Sequence, residues 1–314
     1  MGTDQVEGFV EPAPTPATAD DACSVPIAAY QLHCRQLRCC WRGECDGGVA
    51  GAEQRGMQGH CPVARHGHSL TEIEPDMLFL FGGVSRSGEC LNDVWVLQLT
   101  EAEVGFTQLR ATGDVPCGRF GHTAHRMLNG SGVIIFGGSD DTTWFGDLYV
   151  VSTIELVDLQ SVGFRRVDAC TAPPTVHDVS LPSASDTAPV PTRSSWPSAR
   201  RSHTLTPTAD GEAVLFGGHS VISVNDVWLL DERTFEWRRV ETRGTDPHDP
   251  IADTPVSRYC HTAVVYPAPS LHRDNDSSRG AGVRRCLYVF GGCLFSPMGD
   301  NVLWELNLAT FVWR

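Results

Sequence analysis

Apolar positions along the chain gather in short runs that recur at intervals. Leu78–Phe81, Val133–Phe136, Ala213–Phe216 and Leu287–Phe290 are each four residues long, too short for buried helices and rich in residues that favour strands covered on both faces. Each run is followed at once by two glycines, Gly82-Gly83, Gly137-Gly138, Gly217-Gly218 and Gly291-Gly292, which permit a positive φ or a close backbone approach where the strand leaves its sheet. Ahead of each run lies a polar lead-in, Pro-x-x-Arg-x-x-His: Pro62/Arg65/His68, Pro116/Arg119/His122, Pro197/Arg200/His203 and Pro255/Arg258/His261. Behind it an acidic or amide residue opens a second apolar strand, at Asn92-Asp93-Val94-Trp95, Gly146-Asp147-Leu148-Tyr149, Asn225-Asp226-Val227-Trp228 and, less regularly, Asn301-Val302-Leu303-Trp304. A first strand therefore begins at the histidine, a second ends in Phe-Gly-Gly, a third carries the Trp or Tyr, and Phe106, Phe164, Trp237 and Trp313 mark a fourth. A pattern of several parts found four times in the same order is an internal repeat.

These parts resemble the kelch repeat, one blade of a β-propeller, from roughly Cys61 to Arg314. The resemblance implies an all-β, kelch-type β-propeller occupying 61–314, with four recognisable blades at about 65–109, 119–167, 200–240 and 258–314. It also implies that Trp95, Tyr149, Trp228 and Trp304 fill the space between neighbouring blades. Kelch propellers usually close with more blades than this, and the chain stops at Trp313-Arg314 inside a fourth strand. Two expectations follow: an incomplete ring belonging to a longer propeller, or a ring closed by an N-terminal strand, since four blades can close in propellers generally.

Composition separates the N-terminal part from the repeats. Residues 1–22 are Pro, Ala, Thr and acidic residues with little to bury, and read as disordered. Residues 23–60 hold an expected strand, Val25 to Leu32, and a Gly-rich tract, Gly43 to Gly59. A closing strand drawn from this stretch would remove two exposed sheet edges. Two inserts break the rhythm: 168–199, rich in Pro, Ser, Thr and Ala, lies between blades, and 267–285 lies within the last blade. Up-and-down connectivity puts these inserts on opposite faces. The first reads as a tolerated low-complexity insert, with a phosphorylated docking segment at Ser183–Ser198 as the sharper alternative.

Charge narrows the partners. Lys plus Arg number 24 against 38 Asp plus Glu, a formal charge of -14, which repels phosphates and argues against nucleic acid or an anionic membrane. The cluster at Arg279, Arg284 and Arg285 is too small to reverse that. The sequence has no apolar run long enough for a transmembrane helix and no apolar signal-peptide core at its start, so the expected location is cytoplasmic. Met1-Gly2 begins like a myristoylation site, but Val6 stands where Ser or Thr is needed.

Of the 12 cysteines, Cys23, Cys34, Cys39, Cys40, Cys45 and Cys61 crowd the first 61 residues. Reduced thiols are the expected state without a secretion signal. The alternative is a tetrahedral zinc site drawn from Cys34, Cys39, Cys40 and Cys45 with His33, His60 or Cys61, although the spacing lacks a C-x2-C knuckle. His68, His122, His203 and His261 occupy equivalent positions, as do the lead-in arginines. One repeat position serves one packing role, so they read as structural, bonding backbone carbonyls or a neighbouring blade. Metal catalysis would instead need ligands gathered at one point. Asp93, Asp147 and Asp226 read as strand-opening residues that satisfy loop N–H groups.

Function is then expected from the variable loops. Residues 84–91, 139–146, 219–224 and 293–300 share one face with the blade links near 110–118, 168–199 and 242–257, and loops of that kind carry recognition. The reading is a non-catalytic scaffold or adaptor that binds another protein without a cofactor. Partner-binding residues are expected among Asp140, Asp141, Trp144, Phe145, His219 and Phe295, adjacent aromatics such as Trp144-Phe145 being the better anchors. The acidic balance favours a basic partner surface. The alternative is a propeller enzyme resembling galactose oxidase or a sialic acid mutarotase. A copper oxidase would need His and Tyr ligands at the axis, and only five tyrosines exist: Tyr30, Tyr149, Tyr259, Tyr266 and Tyr288.

Overall fold

The computed structural model describes residues 38–39, 61–101, 103–153, 160–168, 196–267, 285–293 and 301–314. These belong to the second of two units into which the chain divides, Leu37–Arg314. The expected strand at Val25–Leu32, the Gly-rich tract, nearly all of both inserts and the cysteines 23, 34, 40 and 45 lie outside the described residues.

Every named element is a β-strand. At the start come β1 (Arg38–Cys39) and β2 (Arg65–His66). Blade one then holds β3 (Ser69–Glu74), β4 (Met77–Phe81), the short β5 (Val84–Ser85), β6 (Val94–Leu99) and β7 (Glu103–Gly113). Blade two is β8 (Thr123–Arg126), β9 (Gly132–Phe136), β10 (Leu148–Ser152) and β11 (Ser161–Val167), and blade three is β12 (Thr204–Pro207), β13 (Glu212–Phe216), β14 (Val227–Asp231) and β15 (Trp237–Val240). Blade four has β16 (Thr262–Pro267), β17 (Arg285–Phe290) and β18 (Leu303–Asn307), with Trp313 bridging back to Leu306 where a fourth strand begins. Within each blade the main strands pair antiparallel in chain order, β4 directly with β6 while the short β5 pairs with β2, and the inner strands follow one another as β3, β8, β12 and β16. The chain is an all-β propeller of the kind the repeat implies.

Side chains alternate between the two faces of each sheet, and each blade buries one face against the next. Phe79, Phe81, Val94 and Val96 of blade one pack with Val133, Ile135, Tyr149 and Phe164 of blade two. Ile134, Phe136 and Leu148 meet Leu205, Leu215, Trp228 and Trp237. Val214, Phe216 and Leu229 meet Leu287, Val289, Leu306 and Trp313, with Trp304 alongside.

Two features were not expected. The fourth strand of blade one runs for 11 residues: its first half pairs with β6, and Arg110–Gly113 then lies parallel to Ser161–Phe164 of β11. Blades one and two therefore share one hydrogen-bonded sheet. β1 takes the same relation to β7, Arg38 opposite Glu103 and Cys39 opposite Val104, so this part of the N-terminal stretch adds a strand at the outer edge of blade one.

Candidate functional site

The lead-in arginines build the platform. Arg119, fully buried, donates to Gly137 O at 3.0 Å and forks onto the Asp147 carboxylate at 2.6 and 3.1 Å, while its Nε holds Cys117 O. Arg65 does the same with Gly82 O and Asp93, and Arg200 with Gly217 O and Asp226. Arg258 donates to Gly291 O and Val256 O. Each arginine thus fastens the Gly-Gly turn, and in the first three blades it also binds the residue that opens the third strand. The aspartates chiefly serve these cations rather than loop N–H groups, and Asp93 and Asp226 also accept from Trp95 and Trp228 Nε1 at 2.7 Å. Burial works against ionisation of Asp226, but hydrogen bonds from Arg200 and Trp228 prevail and lower its pKa.

The lead-in histidines sit in the seams between blades. His122 Nε2 meets Ser69 Oγ at 2.8 Å, His203 meets Thr123 Oγ1 at 2.9 Å and His261 meets Thr204 Oγ1 at 3.0 Å. Each ring also stands edge-on to the Phe of the preceding blade, Phe81, Phe136 or Phe216, with centroids 5.1 to 5.4 Å apart. Burial, then the nearby arginine, lowers His122 to a pKa of about 3 and His261 to about 4, and pushes His203 well down. They are neutral imidazoles fixed in place. His68 differs in being exposed.

Between each Arg and His lie two residues that form a collar on the loop face. The second is left-handed in all four blades, Gly67, Gly121, Ser202 and Cys260, with φ between 55° and 66°. Its N–H donates to the equivalent carbonyl of the preceding blade: Gly121 to Gly67, Ser202 to Gly121 and Cys260 to Ser202, at 2.7 to 2.8 Å. The first bridges to the residue after the Gly pair: His66 to Val84, Phe120 to Ser139, Arg201 to His219 and Tyr259 to Cys293.

On this collar different side chains converge. The Arg201 guanidinium lies 5.0 Å over Phe120 and reaches Ser139 Oγ at 3.4 Å. The His219 ring stacks 5.0 Å from Tyr259 and faces Trp144 edge-on at 6.5 Å, and its Nδ1 meets Ser223 Oγ at 3.2 Å. Burial and then Arg201 lower the His219 pKa, so this ring is uncharged at neutral pH. Among the described residues the rim combines aromatic surface, the Arg201 guanidinium and neutral hydrogen-bonding groups, a set suited to holding a peptide segment.

Of the residues singled out from sequence, Trp144 and His219 are on this rim. Phe145 lies beneath Arg119 at 4.3 Å. Asp140 caps the N–H groups of Thr142 and Thr143, which lowers its pKa. Asp141 is exposed, and Phe295 is outside the described residues. Phe120, Arg201 and Tyr259 escaped notice in the sequence. Their signal was there: between an invariant Arg and an invariant His, the adjoining position reads His66, Phe120, Arg201, Tyr259.

The loops lie as the alternation requires. Those joining second to third strands contact the link into the next blade: Arg119 N donates to Leu91 O, Arg200 N to Phe145 O and Arg258 N to Val224 O. At the end of the 168–199 insert, Trp196 donates to Gly146 O at 2.6 Å. Among the described residues no cluster of three His, Cys, Asp or Glu could hold a metal. Of the tyrosines, Tyr149 is buried between blades and Tyr266 is exposed.

A family model described as the KLHDC2/KLHL20/DRC7 Kelch-repeats domain matches residues 51–266, more than half of the chain. The chain belongs to the kelch-repeat family. It is 27% identical over 206 residues to an F-box/kelch-repeat protein of Arabidopsis thaliana, covering 54% of this chain and 42% of that protein. It is 26% identical over 195 residues to human Kelch domain-containing protein 3, covering 61% of this chain and 44% of the other. With Drosophila melanogaster host cell factor it shares 24% identity over 272 residues, 77% of this chain and 15% of that protein. The chain thus spans less than half the length of these relatives.

Proposed function

We propose that this chain is a non-catalytic protein-interaction module that engages a partner through the inner rim of its loop face. Kelch-repeat relatives typically serve as protein-interaction modules. The observation that carries the reading is the contrast along one short motif: Arg and His hold the blades, while the collar residues beside them differ from blade to blade and display Phe120, Arg201 and Tyr259 together with Trp144 and His219. A rigid frame bearing variable side chains is how loop-based recognition is built. The partner segment offers a carboxylate or carbonyl to Arg201 and apolar surface to the aromatics, within a protein whose overall acidity favours a basic periphery. We place this activity in the cytoplasm.

A photo-crosslinking residue introduced at position 144 or 259 tests this. It should capture a discrete partner, competed by the unlabelled chain, that the same group at Leu128 on the opposite face does not. Equal capture from both faces would overturn the reading.

A further inference from the structure

Over blade three the loop face carries a second feature, outside the collar. The two most exposed large apolar side chains among the described residues are there, Val221 at 82% and Ile251 at 81%, with Ile222 at 63% and Val256 at 53% in the same two segments. Single exposed aliphatics are ordinary. These four come from the loop 219–224 and the link 242–257, and the two segments are tied together: Asn225 Nδ2 donates to Pro255 O at 3.1 Å and Arg258 N to Val224 O at 3.2 Å.

Both segments hold their tips in a fixed shape. In the loop, His219 bridges to Ser223, Ser220 N donates to Ile222 O and Val224 N donates to Gly218 O, which leaves Val221 at the apex. The His219 ring of this same loop meets Tyr259 and Trp144, so the apex runs on from the collar rim. In the link, Asp249 Oδ1 accepts from Ile251 N and Ala252 N at 3.1 Å, Thr254 Oγ1 donates to Ile251 O at 2.7 Å, and Gly244 N donates to Pro250 O at 2.7 Å. Ala252 O passes so close to Gly244 that a side chain there would collide with it. A stapled turn that displays an isoleucine to water has already met the ordering cost of binding through it. Beside it lies a cleft of about 260 Å³, lined by Ile251, Val227, Val240 and Trp313, with Arg239 and Glu241 also on its wall.

Charge sets the kind of occupant. Residues 241–256 hold four exposed acids, Glu241, Asp246, Asp249 and Asp253, against one arginine, Arg243, while Arg239 acts on the Asp226 carboxylate at the cleft. With a formal charge of -14 on the whole chain, this surface repels both a second copy of itself and an anionic lipid surface. We infer, as an extension of the loop-face reading, that the patch over blade three receives a protein segment whose apolar side chains are set among lysines or arginines. The apolar groups lie on Val221, Ile222 and Ile251, one of them entering the cleft, and the cations face Glu241 and Asp246. The apolar contacts supply the affinity, and the carboxylates supply orientation and speed of encounter.

Selecting a random peptide library on the full 314-residue chain tests this. Enriched peptides should combine apolar residues with Lys or Arg. A synthetic copy of the strongest should lose about tenfold or more in affinity for the Val221→Ser/Ile251→Ser chain. It should lose affinity again for the Glu241→Lys/Asp246→Lys chain, and its binding should weaken as salt rises. All four positions are exposed, so the variants should melt with the wild-type chain. Enrichment of no peptide, enrichment without basic residues, or binding that both double variants leave unchanged overturns the inference. So does self-association, or binding of phosphatidylserine vesicles, that the two serine substitutions abolish. A peptide that responds to Arg201→Ala but not to the serine substitutions overturns it while leaving the collar reading intact. Equal photo-crosslinking from both faces, with peptide binding over blade three preserved, strikes the collar reading and leaves this one standing.

Discussion

The seam between blades two and three and the outward face of blade four are written in nearly the same residues, yet one is buried and the other open. Phe136-Gly137-Gly138 and Phe290-Gly291-Gly292 end equivalent strands. Phe136 packs against His203 and Trp237, with centroids at 5.4 and 4.9 Å, while Phe290 is half exposed. The repeat therefore encodes one side of a joint, and the stabilisation it brings depends on the neighbour.

The sharpest way to break this comparison is to truncate both rings. Phe136→Ala should cost about 3 to 5 kcal/mol through lost burial and a cavity. Phe290→Ala should cost less than about 1.5 kcal/mol, because half of that ring already meets water. Urea unfolding of the two variants measures the difference, and equal losses would show that blade four is covered as fully as the others.

Acid acts on the same contrast with a smaller effect. The seam histidines have folded pKa values below the unfolded one, so as pH falls through about 6.5 the unfolded chain takes up protons that the native chain refuses. Stability is fully present above that pH and is lost as pH drops toward the folded values. His122, with its pKa near 3, should alone account for about 2 kcal/mol of loss between pH 7.5 and 5. Thermal melting across this range should show the slope, His122→Gln should flatten it, and His68→Gln should change it much less.

The smallest effect belongs to the collar. Ser202 holds a φ of 55° where Gly67 and Gly121 hold 66° and 65° without a side chain. Ser202→Gly should therefore stabilise by about 1 kcal/mol or less. The reverse change, Gly121→Ser, should destabilise, because its Cβ would come 3.2 Å from the Arg201 side chain. Melting temperatures moving in opposite directions would confirm the strain, and a shift of the same sign in both would refute it.

Much of the frame could be read from the chain because it rests on local spacing. The four-residue apolar runs, the Gly pairs and the alternation of loops follow from strand period and turn chemistry. What could not be read was any arrangement set by distance in space. Arg119 and Asp147 are 28 residues apart and meet only because a Gly-Gly turn returns the chain. Arg201 and Phe120 meet because two blades stand side by side. Trp144 and Phe145 looked alike as adjacent aromatics, but neighbouring side chains of an extended stretch diverge, and one faces His219 while the other lies under Arg119. The length of β7, and with it the fusion of the first two blades, was hidden because Arg110–Gly113 carries no apolar run to mark a strand.

The collar's hydrogen bonds all point one way, from Cys260 to Ser202, from Ser202 to Gly121 and from Gly121 to Gly67. Every donor lies downstream of its acceptor. Each of these bonds joins consecutive blades, so a polypeptide leaving the ribosome N-terminus first can dock each blade on the one made just before it, and the order of synthesis is also an order of assembly.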